Sequence, residues 1–294
     1  MTMRILLIGK NGQLGWEFQR TLACLGDVTA LDWPEVDLAV PERLRAAVQK
    51  IQPEVIVNAA AYTAVDRAES EPEKARAING TAPGVLAEEA RRLKAALIHF
   101  STDYVFDGTG TGMYKESDEP TPLNLYGLSK LEGEKEVLGQ GGAAWILRTS
   151  WVYSDRRDSF VNKVLQWSRS QAQMKVVVDQ TGCPTWSRML AEITTLALAK
   201  GGKDVCGWVG ETRGLYHLAG DGGASRFQFA QEILRLDPER KRQVVTELVE
   251  AKTSDFPTPA RRPLNAILDC SKFKNVFGMS LPPWQEALEL MLKR

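Results

Sequence analysis

Tyr126-Gly-Leu-Ser-Lys130 places a phenol and an ammonium four residues apart. On a helix such residues share a face, so the lysine stands beside the tyrosine hydroxyl. A free tyrosine has a pKa of about 10. A neighbouring cation favours the phenolate and lowers that value, towards the range where general acid–base work is efficient. The pair is short, and its meaning depends on its surroundings. Ser101-Thr-Asp-Tyr104 supplies a second piece, with hydroxyls suited to donating to a substrate carbonyl oxygen while Tyr126 delivers a proton to it.

A third piece is Gly9-Lys-Asn-Gly12-Gln-Leu-Gly15, which follows an apolar run and opens a helix-period segment. Glycine permits the tight turn and the close approach of backbone to a pyrophosphate, whose charge then meets the helix N-terminus. The spacing is G-x-x-G-x-x-G rather than the commoner G-x-G-x-x-G. Asp32 follows about 20 residues later, where a carboxylate accepts hydrogen bonds from an adenosine ribose. That placement favours NADH, and Lys10 in the loop offers a counter-charge that keeps NADPH open. Asp37-Leu38 either flanks the adenine or starts the helix at Pro41. Asn58-Ala-Ala-Ala61-Tyr62-Thr63 ends another apolar run in small residues that let a cofactor pass close to the backbone.

The elements that must position these groups alternate. Residues 4–9, 28–31, 55–59, 97–101 and 145–149 are apolar runs suited to buried strands of a parallel sheet. Residues 13–25, 41–51, 73–93 and 126–138 have helical periodicity. Pro41 suits a first helical position, and Gly139 with Gly141-Gly142 ends the last helix. This alternation predicts an α/β fold with a doubly wound, Rossmann-type parallel sheet. Ligands then bind outside the carboxyl ends of the strands. Beyond residue 150 the pattern loosens into helical pieces at 160–170, 187–199, 226–236 and 284–292, separated by Gly- and Pro-rich turns. We expect residues 1–150 to form the dinucleotide-binding domain, with a return strand near 214–219. Residues 151–294 would form a smaller interleaved C-terminal substrate-binding lobe.

Composition narrows the class. The 294 residues carry 37 basic and 37 acidic side chains, with no block of like charge to attract nucleic acid or a membrane surface. No run approaches the ~20 apolar residues of a membrane span, and the amino terminus enters a strand directly. A cytoplasmic location is expected. Cys24, Cys183, Cys206 and Cys270 lack metal-ligand spacing and are expected to be reduced thiols. The two histidines leave little for a His-based metal site or triad.

Taken in order, these pieces resemble the extended short-chain dehydrogenase/reductase family. Several longer segments are similar to the dTDP-4-dehydrorhamnose reductases within it. They are Gly9 to Glu17, Val57 to Glu71, Ser101 to Phe106, Asn124 to Lys130, Arg148 to Tyr153, Asp179 to Thr185 and Thr258 to Pro263. The resemblance spans nearly the whole chain. It implies reduction of the 4-keto group of dTDP-4-dehydro-L-rhamnose by NADPH or NADH, in cell-surface polysaccharide biosynthesis. By resemblance, Tyr126 is the general acid, and Lys130 lowers its pKa and holds the nicotinamide ribose. Thr102 orients the sugar carbonyl, and Asp103 and Trp151 contact the sugar nucleotide. Gly9, Gly12, Gln13, Leu14, Gly15, Asp32, Asp37, Leu38, Ala61, Tyr62, Thr63 and Phe100 line the dinucleotide. Arg261 or Arg262 suits the substrate diphosphate, for which bidentate geometry favours arginine.

Some members of that family pair subunits through a magnesium ion held by glutamates. Glu17 matches one of these, but Arg188 stands where another is needed, and the tail stops at Leu292-Lys-Arg without a glutamate. A cation there removes the charge that binds Mg²⁺. The expectation is no metal, and a monomer or weak homodimer without a metal bridge. Two rivals share the scaffold. A nucleotide-sugar dehydratase or epimerase retains and recycles its cofactor; the dehydratases compared carry an acidic residue where this chain has Tyr104. A non-catalytic regulatory subunit of a methionine adenosyltransferase would have no need of the Thr102, Tyr126 and Lys130 set.

Overall fold

The computed structural model describes residues 2–156 and 158–293. Met1, Arg157 and the last tail residue, Arg294, lie outside that range. Six strands form one parallel sheet: β1 (Met3–Ile8), β2 (Gly26–Leu31), β3 (Val55–Asn58), β4 (Ala96–Thr102), β5 (Ala144–Thr149) and β6 (Gly214–His217), in the order β6-β5-β4-β3-β1-β2. Strand order reverses beside β1, where β3 lies on one side and β2 on the other. In such sheets a crevice for ligands opens at that point, outside the carboxyl ends. The doubly wound α/β fold is the one the alternation predicts.

The strands are apolar on both faces because both faces are covered. On one side Ile5, Leu7, Val57, Ile98 and Leu147 pack against α1 (Gln13–Leu22) and a later helix, Ser187–Ala199, through Phe18, Leu22, Leu190 and Leu198. On the other, Leu6, Ile8, Ile56, Leu97 and Ile146 meet α2 (Pro41–Ile51) and α3 (Ala82–Leu93) through Leu44, Val48, Val85 and Leu86. A third core, built on Tyr153, Phe229, Ile233, Trp284 and Leu288, belongs to the C-terminal lobe.

Two differences from the sequence expectations have clear causes. The helix expected over 73–93 is a chain of three pieces: Pro72–Arg76, a π segment Ala77–Thr81, and α3. Pro83 lacks the N–H that a regular helix needs there. The wider turn frees Asn79, which bonds the Tyr62 backbone and Ser129 Oγ. The lobe also contains short strands with no sequence forecast, such as Gln173–Val177 paired with Glu247–Ala251. Their pairing joins residues far apart in the chain, and five-residue runs carry too little periodicity to announce it.

Candidate active site

The helix that bears Tyr126 and Lys130 is α4 (Leu125–Gly139). It starts at Asn124, whose Oδ1 accepts from Gly127 N at 2.8 Å, a side-chain cap that satisfies one of the unpaired N-terminal donors. Asn124 Nδ2 also donates to the Arg261 carbonyl at 2.7 Å, tying the start of the helix to the 258–263 loop. Two glycines let α4 press close to its neighbours. A Cβ on Gly127 would lie 2.1 Å from the Tyr104 carbonyl, and one on Gly133 would lie 2.1 Å from that of Asn79.

At the carboxyl end of β4, the Tyr126 phenol lines the same cleft as Thr102 and Asp103. Thr102 Oγ1 donates to Asp103 at 3.0 Å, and Ser150 Oγ donates to the other Asp103 oxygen at 2.7 Å. Burial pushes the Asp103 carboxyl up to about 6, opposed by these hydrogen bonds and by the Arg226 charge. Burial also raises the Tyr126 phenol well above its ordinary value; the Thr102 side chain pulls it down, and Asp103 and Tyr104 push it further up. This corrects the expectation that Lys130 lowers the phenol. The Lys130 ammonium is buried and donates instead to the Phe100 carbonyl at 2.6 Å. Burial pulls that ammonium down to about 8, while Glu134 one turn along pulls it up. Glu134 is itself held by a two-pronged contact with Arg148, at 2.8 and 2.6 Å, and by Ser101 Oγ.

These groups open into a cleft of about 630 Å³ that also reaches Gly9, Gly12, Gln13, Leu14 and Asp32. Gly9 has φ +93°, and a Cβ there would lie 2.7 Å from Ala60 N. The loop therefore requires glycine at this turn. Behind it, the ten-residue α1 begins at Gly12 with no side-chain cap, leaving donors and a positive helix end for an anion. The donor set fits a dinucleotide. Asp32 accepts from Asn11 N and Trp33 N at 2.9 and 2.8 Å, which fixes the carboxylate at the end of β2.

Of the residues expected at the dinucleotide, Ala61, Thr63 and Phe100 also line the cleft, together with Thr102, Asp103, Tyr126, Lys130 and Trp151. Four do not. A Cβ on Gly15 would lie 1.9 Å from the Gly9 carbonyl, so this glycine seats the helix on its loop. Asp37 accepts from Ala39 N, and Leu38 is buried in the core beneath the sheet. These two form the loop that starts α2. The Tyr62 hydroxyl turns to Glu71 at 2.9 Å.

The arginines rearrange the expected substrate end. Arg262 grips Asp66 at 3.1 and 2.8 Å, and Arg261 is exposed and does not line the cleft. The cleft instead receives Arg226, which the sequence reading missed. Its guanidinium carbon lies 3.5 Å from the centre of the Trp151 ring and 5.0 Å from that of Phe160. It faces Tyr104 and Asp103, and burial lowers its pKa. Trp151 has φ +42°, and a Cβ on Gly182 would lie 2.6 Å from its indole. The ring is thus wedged between Gly182 and Arg226. A lone arginine opening the helix Arg226–Leu236 carries no local sign of this contact, which only the fold of the lobe creates.

The family model described as RmlD substrate binding domain matches residues 3–294. The chain belongs to this family. It is 43% identical over 294 residues to a dTDP-4-dehydrorhamnose reductase of Burkholderia thailandensis, covering 99% of this chain and 98% of that protein. A crystal structure of a dTDP-4-dehydrorhamnose reductase from Clostridium acetobutylicum superposes with a TM-score of 0.90 at 32% identity, covering 99% of both chains. The Bacillus anthracis dTDP-4-dehydrorhamnose reductase, solved in complex with NADP, gives 0.88 at 30% identity, covering 100% of this chain and 99% of its own.

Away from the cleft, Glu17 is paired with Arg20 at 3.0 Å; Arg20 also reaches Glu192, which takes Arg188 at 3.0 Å. Among the described residues no group of three His, Cys, Asp or Glu is placed to hold a metal. No described helix is long and apolar enough to cross a membrane.

Proposed function

We propose that this chain reduces the 4-keto group of dTDP-4-dehydro-L-rhamnose to dTDP-L-rhamnose, with NADH or NADPH as reductant and Tyr126 as general acid. The observation that carries the reading is that Tyr126 and the hydrogen-bonded pair Thr102–Asp103 share one cleft with the glycine loop and Asp32. The 43% identity to a curated reductase supports the choice of sugar nucleotide.

Gly9, Gly12 and the start of α1 hold the pyrophosphate, Asp32 the adenosine ribose, and Lys130 the second ribose. When bound, the reduced nicotinamide supplies the hydride that the carbonyl carbon takes up. The Thr102 and Tyr126 hydroxyls hold the carbonyl oxygen, and Tyr126 gives its proton to that oxygen as negative charge develops there. The raised Tyr126 pKa keeps the phenol protonated at neutral pH, which a donor requires. Asp103 accepts from a sugar hydroxyl, and the edge of the Trp151 ring, whose faces are held by Gly182 and Arg226, borders the sugar nucleotide. Arg226, rather than Arg261 or Arg262, holds the diphosphate, because its guanidinium faces the cleft and Arg262 is taken by Asp66. With Glu17 and Glu192 engaged by Arg20 and Arg188, the reading includes no metal bridge; a monomer or weak homodimer acting in the cytoplasm is part of the same proposal.

Purified protein given NADH and dTDP-4-dehydro-L-rhamnose is expected to oxidise one NADH per dTDP-L-rhamnose formed. Tightly retained NAD with no net oxidation would instead assign the chain to the epimerase or dehydratase chemistry of the same scaffold.

A further inference from the structure

Beside the glycine loop lies a charge arrangement that the reduction chemistry does not use. Lys10, directly after Gly9, places Nζ 2.7 Å from one Glu35 oxygen and 2.6 Å from the other. Glu35 Oε2 also accepts from Asp32 N at 3.2 Å, which anchors it over the end of β2. The Asp32 carboxylate is fixed by two backbone N–H groups. Two carboxylates thus stand at this corner, and Glu35 engages Lys10 with both oxygens. The Lys10 and Glu35 side chains are 26% and 46% exposed, so the pair sits at the rim, within reach of a bound ribose.

A dinucleotide with a free 2′-hydroxyl can donate to Asp32 and leaves the Lys10–Glu35 pair intact. One with a 2′-phosphate brings close to two negative charges to the same corner. It meets Asp32 and Glu35, and can recruit Lys10 only by breaking the existing ion pair and stranding Glu35 beside the phosphate. We propose that Glu35 sets the dinucleotide preference of this chain: by holding Lys10 it withholds a cation from a 2′-phosphate, so that NADH binds more tightly than NADPH. This rests on the reading of the cleft as a dinucleotide site. It adds the residue that decides between two ligands differing only by that phosphate.

The test is binding, without turnover. Tryptophan-to-nicotinamide energy transfer in the full chain gives Kd for NADH and NADPH in the absence of sugar nucleotide. Wild type is expected to favour NADH. Glu35→Gln keeps an acceptor for Asp32 N and releases Lys10. It is expected to tighten NADPH about tenfold, the size of one added charge-assisted contact, with NADH unchanged within about twofold. Adding Lys10→Met to Glu35→Gln should erase that gain. An unchanged ratio in Glu35→Gln, or a wild type that favours NADPH, overturns the proposal. So does a Lys10→Met variant that weakens NADPH in the wild-type background as much as in Glu35→Gln, since Lys10 would then already be free. Binding of both dinucleotides with an unmoved ratio removes the Glu35 role alone, whereas binding of neither removes the dinucleotide reading with it.

Discussion

Lys130 is a buried ammonium held by the Phe100 carbonyl, and its pKa of about 8 links pH to both activity and stability. Above that value the folded chain gives up a proton that the unfolded chain keeps until its ordinary value of about 10.4. The protons bound in the unfolded state then exceed those in the native state, so this group makes stability rise with pH between those limits. Under the proposed role of Lys130, activity runs the other way, because the ribose would lose its ammonium partner. The kcat profile is expected to fall with an apparent pKa near 8, and Lys130→Met to abolish that limb. An unaltered limb in the variant would assign it to another group. The spacing of Tyr126 and Lys130 was legible because i and i+4 share a face on any helix. The direction of the Tyr126 shift was not, because burial dominates it and burial is a tertiary property.

At the scale of elements, α4 positions both groups by lying close against the π segment. Gly133 is the point of closest approach, and a methyl there meets the Asn79 backbone carbonyl at 2.1 Å. Backbone cannot swing aside as a flexible side chain can. Gly133→Ala is therefore expected to lower stability by roughly 1–3 kcal/mol, read as a reduced urea midpoint with an unchanged slope. An unshifted midpoint would mean that the seam relaxes freely. The strands were legible from apolar runs such as Ile5–Ile8, since a parallel strand buried on both faces needs no alternation. The π segment was not, although Pro83 was visible, because a proline inside helical periodicity signals a break without saying what shape it takes. Gly15 shows the same limit: its place in the loop was plain, but only the packed helix distinguishes a ligand-approach glycine from a packing one.

Across the whole molecule, the cleft lies at the carboxyl ends of the sheet and is lined also by residues from beyond position 150. The sheet contributes Thr102, Asp103 and Asp32, α4 contributes Tyr126 and Lys130, and the lobe contributes Arg226 beside Trp151. A ligand spanning the cleft should stabilise both parts together, by about 2.7 kcal/mol at a concentration of about 100 times Kd. Excess dTDP-L-rhamnose is accordingly expected to raise the thermal midpoint of wild type. The rise should be largely lost in Arg226→Met and retained in Arg262→Met; the reverse pattern would return the diphosphate to the 258–263 loop. The sheet and the order of its motifs were legible because each lies within a short stretch of chain. Arg226 on Trp151 was not, because the partners belong to separate segments that only the lobe's own core brings together.

The most direct test of the central claim is the turnover of Tyr126→Phe beside its ligand affinities. Removing the hydroxyl leaves the ring and its edge contact with Tyr104 in place. Kd values for dinucleotide and dTDP-L-rhamnose are expected within a few-fold of wild type, with kcat lower by roughly 10²–10⁴-fold, the usual worth of a positioned general acid. A Tyr126→Phe enzyme that oxidises NADH with dTDP-4-dehydro-L-rhamnose at the wild-type rate would contradict it.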